Sequence, residues 1–357
     1  MKDPKSGQPV DVMRRRVAHG ALGAVLAPAL LASPSSSSSN SVPSDVARED
    51  WHGELKQIDA GELRICYADM GKQDAHTILL LHGWPYDIQT YSSAAILLVE
   101  AGYRVLVPYL RGFGQTLIRS TTAPRNGQQS IFAMDALNLL DALNVKEFTV
   151  AGCDWGARTA NIMAALWPTR CNALVSVSGY LIGSQATGQR PLAPEEELKW
   201  WYQFYFSTER GRQGYESNRT EFARLIWKLA SPSWNFDEST FRRTALSFEN
   251  PDHVDIVINN YRWRLGLAEG NPALSQQELL LAQNPTISIP TITLEGDANG
   301  APHPESDKYR AMFTGDYEHR VVYGGVGHNL PQEAPEAFAA AVIDAARRGL
   351  QFRANSS

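Results

Sequence analysis

The sequence contains little cysteine. Its three thiols, Cys66, Cys153 and Cys171, are spread through 357 residues at spacings that fit no disulfide framework, so we predict no structural disulfide. It also has no excess of basic residues, because 38 aspartates and glutamates outnumber 33 lysines and arginines and give a net charge of −5. Nucleic-acid binding normally requires a basic surface, so nucleic acid is not an expected partner. Internal repeats are absent too.

No apolar run is long enough to span a bilayer comfortably. The best candidate, 20–32, is short and follows the basic cluster at 14–16. Basic residues, a short apolar segment and small residues at its end are typical of an export signal, and paired arginines suggest the twin-arginine route. We predict that residues 1–32 are a signal that is removed, that the serine-rich stretch 33–50 is a linker, and that the mature protein is periplasmic or secreted without a stable membrane span.

Short apolar runs alternate with helical segments over most of the remaining chain. Residues 53–69 alternate enough to predict two antiparallel strands. The clearest buried strands are predicted at 77–81, 103–107, 148–151, 173–178, 289–295 and 320–323. Strands and helices that alternate at this spacing predict an α/β fold, with a mostly parallel sheet and helices on both faces. Residues 180–270 interrupt the alternation with aromatic and charged residues at helical spacing, which predicts a helical cap. We therefore expect an eight-stranded core formed by residues 51–179 and 271–350.

The turn after the predicted strand 148–151 carries the clearest chemical signal. Gly152 and Gly156 flank Asp154, and a sharp strand-to-helix turn needs small residues on both sides of its exposed centre. This is the nucleophile elbow with aspartate in place of serine. A helix N-terminus favours negative charge there, and a carboxylate nucleophile attacks an sp³ carbon to leave an alkyl ester. No serine or cysteine occupies a competing elbow, and Cys153 is expected to point away from the substrate.

A histidine is expected to join this carboxylate. His328 lies in a glycine-rich loop just before the last predicted helix. Asp154 and His328 thus follow the nucleophile-to-histidine chain order of α/β-hydrolases. The glycines would let the loop reach back over the carboxyl edge of the sheet, where His328 would act as the base.

The segment His82-Gly83-Trp84-Pro85 is expected to supply a hydrogen-bond donor to the negative charge at the elbow. Backbone N–H groups of Trp84 and Trp155 can converge on the carboxylate of the elbow, as the donors of an oxyanion hole do. We place His82 and Pro85 in the same pocket. The Trp84-Pro85 bond is a candidate for the cis conformation, because cis-proline is typical of a tight turn.

These motifs carry a family resemblance. His-Gly-Trp-Pro at 82–85, Arg-Gly-Phe-Gly at 111–114, Asp-Trp-Gly at 154–156 and Gly-His-Asn at 327–329 resemble the epoxide hydrolases and haloalkane dehalogenases of the α/β-hydrolase superfamily. The resemblance covers roughly residues 50 to 350. It implies an enzyme with an α/β-hydrolase fold and a helical cap, without a metal or an organic cofactor. Its partner would be a small apolar substrate, either an epoxide or a halogenated compound. The residues indicate no oligomeric state.

The predicted cap carries the resemblance further. Tyr202 and Tyr261 are similar to the two tyrosines with which epoxide hydrolases assist ring opening. Two phenols above the nucleophile could hydrogen-bond the epoxide oxygen and protonate the alkoxide, which favours an epoxide hydrolase. A haloalkane dehalogenase is the alternative, with Trp84 and Trp155 as N–H donors to the halide. A ligand-binding homologue with weak turnover is a third hypothesis.

The chain departs from the family at the residue that should orient His328. The family's carboxylate usually falls three residues after the strand-ending glycine, here Gly296, and Asn299 occupies that place. Asp297, one residue after the glycine, is the other candidate. An asparagine would hold the imidazole without stabilising its cation, and in serine proteases that exchange lowers turnover about 10⁴-fold. We therefore expect Asp297 or Asn299 as the third member, with slow ester hydrolysis if it is Asn299.

Overall fold

A computed structural model describes residue 51 and residues 54–356. The predicted export signal at 1–32 and linker at 33–50 lie outside the described residues. The strands are Leu55–Ala60 (β1), Leu63–Met70 (β2), Thr77–Leu81 (β3), Arg104–Pro108 (β4), Leu117–Ile118 (β5), Phe148–Gly152 (β6), Cys171–Val177 (β7), Thr291–Gly296 (β8) and Tyr317–Val322 (β9). The predicted strands are all present, with ends that differ by at most three residues.

The helices alternate with these strands. They are Ser92–Glu100 (α1), Gln129–Ala142 (α2), Trp155–Leu166 (α3), Gln185–Gly188 (α4), Pro194–Lys199 (α5), Trp201–Ser207 (α6), Glu209–Ala230 (α7), Glu238–Ala245 (α8), His253–Arg264 (α9), Ser275–Leu281 (α10), Ser306–Tyr309 (α11), Leu330–Glu333 (α12) and Pro335–Ser356 (α13). Helix α1 packs against α13, and α2 packs against α3, so that two helix pairs cover the sheet.

One sheet runs through the described residues in the order β1-β2-β4-β3-β6-β7-β8-β9. The first two strands pair antiparallel with their neighbours, and every pairing from β4 to β9 is parallel. The expectation of an eight-stranded, mostly parallel sheet is confirmed. The sheet has one addition, the two-residue β5 beside β2, which is too short to produce a sequence pattern.

The centre of the sheet is buried on both faces. Every residue of β3, β4, β6 and β7 is buried, as expected for parallel strands covered by helices. Parallel strands end at the same edge of a sheet, so the loops after β3, β6 and β8 lie together there. These loops carry Trp84, Asp154 and Asp297.

A helical segment interrupts the sheet between β7 and β8. All residues from 178 to 290 are described, and their regular structure is helical, from α4 to α10. Helices α6, α7 and α9 pack on one another and bring their aromatic faces onto Trp84 of the core. This segment includes the predicted cap at 180–270.

Candidate active site

Asp154 stands at the turn between β6 and α3. Its φ of 56° and ψ of −119° are strained for a residue with a side chain. Glycines make this turn possible, because a Cβ on Gly156 would collide with the carbonyl group of Leu81 and a Cβ on Gly152 would collide with Gly156. The turn leaves 24% of the Asp154 side chain exposed. The sequence predicted this elbow, and the structure contains it.

Backbone N–H groups hold one carboxylate oxygen of Asp154. The Trp84 N–H donates to Oδ1 at 2.8 Å, from a loop in which the Trp84-Pro85 bond is cis as predicted. Gly83 must lack a side chain here, because a Cβ would lie 2.5 Å from that oxygen. Burial by itself raises the pKa of Asp154, but hydrogen bonds from His328 and from the backbone of Trp84 and Trp155 outweigh it, and the pKa is lowered. The carboxylate is therefore ionised at neutral pH.

His328 approaches the other carboxylate oxygen. Its Nε2 lies 3.5 Å from Oδ2 of Asp154. Two residues that sequence analysis missed fix its backbone: the Ser231 hydroxyl accepts from the His328 N–H at 3.0 Å and donates to Glu333 at 2.6 Å. Glu333 also accepts from the N–H of Gly327 at 2.7 Å. Ser231 ends α7 of the helical segment, so the position of the histidine depends on that segment.

Neither predicted third member contacts the imidazole. The Asp297 carboxylate accepts three backbone N–H bonds of 2.9 to 3.1 Å from residues 324–326, the loop that carries His328. The amide of Asn299 donates to Glu295 at 2.6 Å. The Nδ1 atom of His328 is buried and has no hydrogen-bond partner among the described residues. The expectation that Asp297 or Asn299 orients this imidazole is therefore wrong, because both side chains are engaged elsewhere.

The two predicted tyrosines meet above Trp84. The ring centroids of Tyr202 and Tyr261 are 5.4 Å apart with perpendicular planes, and each lies within 5.4 Å of the Trp84 ring centroid. Burial raises the pKa of both phenols, and the negative charge of Asp154 raises it further. Both hydroxyls therefore stay protonated at neutral pH, as a hydrogen-bond donor or general acid requires.

The indole of Trp84 is already engaged. Its N–H donates to the Tyr215 hydroxyl at 2.9 Å, which in turn lies 2.8 Å from Nε2 of His253. The Nδ1 of His253 is 2.8 Å from the carbonyl oxygen of Gly112. These bonds fix the tautomer, with Nδ1–H donating to Gly112 and Nε2 accepting from Tyr215. Burial lowers the pKa of His253 to about 3, so the ring is neutral.

The indole N–H of Trp155, unlike that of Trp84, is not held by a neighbouring side chain among the described residues. It is buried near the Tyr261 hydroxyl but makes no hydrogen bond of normal geometry within the described residues. A halide site formed by both indoles is therefore incomplete, since only Trp155 has a free donor.

Two further residues of the predicted pocket act as supports. His82 is fully buried: its Nδ1 lies 3.0 Å from the Gly83 carbonyl oxygen, and its Nε2 accepts from the Leu110 N–H at 3.1 Å. Burial lowers the pKa of His82 to about 4. The carbonyl oxygen of Pro85 accepts from the Trp227 indole at 2.7 Å. Neither residue lines the cavity at Asp154, which corrects their placement in the pocket wall.

A cavity of about 1040 Å³ opens at Asp154. Its wall includes Trp155, His328 and parts of the helical segment, among them Trp200 and Arg264. Such a volume is at the upper end of the range for small-molecule sites. Tyr202 and Tyr261 are not part of this wall, although Gln203 on α6 and Trp263 on α9 are.

The described part of the chain contains no cluster of His, Cys, Asp or Glu that could hold a metal ion. Within those same residues, no helix combines the length and apolar character that crossing a membrane requires. Cys153 is buried and donates from its thiol to the His328 carbonyl oxygen at 3.3 Å, away from the cavity.

Sheet, elbow and histidine together define an α/β-hydrolase with an aspartate at the nucleophile position. The chain belongs to the alpha/beta hydrolase fold family, which it matches over residues 76–345. Among solved structures it is 56% identical to a Klebsiella pneumoniae protein that is provisionally named an epoxide hydrolase, with a TM-score of 0.82 over 85% of this chain and 99% of that one.

Two relatives have names that match the two predicted chemistries. Epoxide hydrolase B of Mycobacterium tuberculosis is 31% identical over 200 residues, and a haloalkane dehalogenase of Psychrobacter cryohalolentis is 32% identical over 143 residues. The matches cover 52% and 40% of this chain, and they span about half the length of the two relatives, 55% and 45%. The resemblance drawn from the motifs is confirmed: this is an epoxide hydrolase-like α/β-hydrolase.

Proposed function

We propose that the protein opens epoxides through a covalent ester of Asp154 and releases vicinal diols. One arrangement carries the proposal. An ionised carboxylate has Oδ1 held at 2.8 Å by a backbone N–H, Oδ2 at 3.5 Å from a histidine, and two protonated cap phenols nearby. The names of the relatives add support for the substrate class. The substrate would be a small epoxide whose apolar part contacts the aromatic residues.

In the first step Oδ2 of Asp154 attacks an epoxide carbon. The bond from that carbon to the epoxide oxygen breaks, and the oxygen takes a proton from the hydroxyl of Tyr202 or Tyr261. An alkoxide is a poor leaving group unless it is hydrogen-bonded as charge develops, so a positioned phenol lowers the barrier. The products of this step are an alkyl ester of Asp154 and a tyrosinate.

In the second step water attacks Cγ of the ester, and Nε2 of His328 takes the water proton. Negative charge then develops on Oδ1, which the backbone N–H groups of Trp84 and Trp155 stabilise. The ester bond breaks, and the diol oxygen takes the proton from His328. The proton left on Asp154 returns to the tyrosinate, so the sum is epoxide plus water to diol.

The lack of a hydrogen-bond partner at Nδ1 of His328 affects the second step, the hydrolysis of the ester. A carboxylate on Nδ1 would stabilise the imidazolium that forms as water attacks. The described residues place no carboxylate there. Alkylation does not use such a carboxylate, whereas ester hydrolysis is slower without it. We therefore expect ester hydrolysis to limit turnover and the ester to accumulate during it.

Haloalkane dehalogenation is the second candidate. The observation in its favour is the unpaired indole N–H of Trp155, which could bind a departing halide. Against it, the Trp84 indole N–H is held by Tyr215 at 2.9 Å. Two protonated phenols suit an alkoxide better than a halide, because a halide departs as a stable anion without a proton.

Intact-protein mass spectrometry after incubation with panels of epoxides and haloalkanes tests the mechanism. We expect an adduct of epoxide mass on the wild type, none on Asp154→Ala, and a persistent one on His328→Gln. His76→Gln, which changes a histidine that lies outside the cavity and is hydrogen-bonded to Thr149, should not accumulate ester. Turnover in ¹⁸O water should place the label in Asp154. Adducts on Asp154→Ala, or full turnover by His328→Gln, would refute the assignment.

A further inference from the structure

The cavity at Asp154 carries more positive charge than epoxide opening needs. Four cationic side chains line it, Arg158, Arg190, Arg264 and Lys308. Within the described residues, none of the four lies within ion-pair distance of a carboxylate. This is unusual in a chain that has more acidic than basic residues, and in which the described arginines and lysines form many ion pairs, such as that of Lys199 with Glu196 at 2.8 Å.

The acidic residues of the same wall do not offset this charge. Glu196 is paired with Lys199, and the Glu197 carboxylate accepts from the Leu192 N–H at 2.7 Å. Asp154 is the third, and its charge is shared with His328 and two backbone donors. Asp154 is therefore the one acidic residue of this wall whose charge acts on Arg158, and it forms no ion pair with any of the four cations.

Two of the cations are fixed close to the reacting groups. Arg158 lies one helical turn after Asp154 on α3, on the same face, and its Nε donates to the Leu181 carbonyl oxygen at 2.7 Å. Its two terminal amino groups make no hydrogen bond within the described residues. The guanidinium of Arg264 lies 5.4 Å from the ring centroid of Tyr261 and 5.3 Å from that of Trp200. Both side chains are thus held in place and leave donors available.

Burial opposes the charge of Arg158. Burial and, to a smaller extent, the neighbouring Arg264 lower the pKa of this guanidinium to about 9, while the charge of Asp154 acts in the opposite direction. With that pKa, Arg158 remains cationic at neutral pH, although the neighbouring Arg264 makes its charge less favourable. Two guanidinium groups that form no ion pair with a carboxylate are stabilised by an added anion, and a planar guanidinium suits an oxyanion through paired N–H donors.

We propose that the substrate of this site is an epoxide that carries a small oxyanion, such as a carboxylate, and that Arg158 and Arg264 bind this oxyanion beside Asp154. This inference rests on the proposed epoxide opening. It also refines the expected apolar substrate, because the aromatic residues would contact the apolar part while the arginines bind the charged group. The cations would further offset the repulsion between a substrate anion and the Asp154 carboxylate.

Binding of unreactive analogues tests the proposal independently of turnover. Cyclopropanecarboxylate and cyclopropanecarboxamide have nearly the shape of the corresponding epoxides but cannot be opened. We expect the full chain to bind the carboxylate at least about 10-fold more tightly than the amide in calorimetry, because hydrogen bonds to charged groups are strong. The preference for the carboxylate over the amide should be lost in Arg158→Gln and partly restored in Arg158→Lys. It should persist in Arg210→Gln, which removes one exposed cap charge outside the cavity.

Cyclopropylphosphonate in the same assay distinguishes a carboxylate site from a phosphonate site, and preference for either oxyanion supports the proposal. Equal affinity for the amide and both anions would overturn it, and so would a preference that Arg158→Gln leaves intact. Turnover is measured separately, as kcat/KM for oxirane-2-carboxylate relative to oxirane-2-carboxamide. A wild type that binds the anions but opens neither epoxide would refute the proposed function and leave the oxyanion site standing. A wild type that opens oxirane-2-carboxamide but not oxirane-2-carboxylate would refute the oxyanion site instead.

Discussion

At the scale of single residues, the chemistry of this protein depends on which groups face the leaving atom. Tyr202 and Tyr261 are protonated and feel the charge of Asp154, whereas of the two indoles next to Asp154 only that of Trp155 has an N–H without a hydrogen bond of normal geometry. An alkoxide needs a proton and a halide needs N–H donors. The two reactions should therefore respond oppositely to loss of the phenols and loss of the indole.

We predict that Tyr202→Phe and Tyr261→Phe each lower kcat/KM for an epoxide about 10-fold or more, and that the double variant is nearly inactive. Tyr205→Phe, on the same helix α6 as Tyr202, is the control and should keep most of the activity. Trp155→Phe should impair a haloalkane instead. Full epoxide activity in the double variant, together with loss of haloalkane turnover in Trp155→Phe, would favour the dehalogenase.

At the scale of elements, a buried chain of hydrogen bonds ties the helical segment to the core. Trp84 follows β3 and Gly112 follows β4, while Tyr215 belongs to α7 and His253 begins α9. The Tyr215 hydroxyl accepts from one core residue and donates to His253. It therefore fixes both the Trp84 loop, whose N–H holds Asp154, and the approach of α7 and α9.

Removing that hydroxyl leaves a buried donor and a buried acceptor without partners. We predict that Tyr215→Phe lowers the free energy of unfolding by about 1–3 kcal/mol, measured by urea denaturation. Tyr205→Phe serves again as the control, because its hydroxyl makes no hydrogen bond within the described residues, and it should change stability by less than about 0.5 kcal/mol. Equal effects of the two substitutions would show that the hydrogen-bond chain contributes nothing.

At the scale of the whole molecule, buried ionisable groups set the dependence of stability on pH. Burial lowers the pKa of His253 from 6.5 to about 3, so between these values the unfolded chain binds a proton that the fold excludes. The contribution of His253 to the free energy of unfolding is at its maximum above pH 6.5 and decreases as the pH falls below that value. Burial raises the pKa of Asp87 from 3.8 to about 7, with the opposite sign. Its contribution is full at low pH and is lost as the pH rises towards 7.

The two groups should therefore be separable by substitution. Between pH 4 and 6.5 each changes the slope of unfolding free energy against pH by up to about 1.4 kcal/mol per pH unit. We predict that His253→Gln makes this slope less positive than in the wild type, and that Asp87→Asn makes it more positive. Denaturant titrations across this range measure both slopes. Shifts of the same sign in the two variants would contradict the assignment.

The export signal is also a property of the whole chain. We propose that residues 1–32 direct export and are removed, because arginines precede a short apolar run. N-terminal sequencing of periplasmic or secreted protein should begin near residue 33. Replacing Arg14 and Arg15 by Lys should retain the protein in the cytoplasm, whereas replacing Lys2 and Lys5 by Arg should not. A retained Met1 in the cytoplasmic fraction of the wild type would refute the proposal.

The sequence by itself determined the sheet, the elbow and the chain order of Asp154 and His328. These features leave local traces. Buried parallel strands are continuous apolar runs, and the elbow needs glycine where a Cβ at Gly152 or Gly156 would strike the backbone. The two-residue β5 left no such trace, and the ends of most other strands differ from the predicted ends by up to three residues because edge positions carry weak patterns.

Only the tertiary structure decided the partners of the polar side chains. Asp297 is close to the histidine loop in space, but its carboxylate is taken by the N–H groups of residues 324–326. Ser231 and Glu333, which hold His328, are 102 positions apart. Arg158 was not singled out from the sequence, because its lack of an ion-pair partner depends on every element that packs around it. Hydrogen bonds and charges between distant loops are set by packing, which no short stretch of sequence encodes.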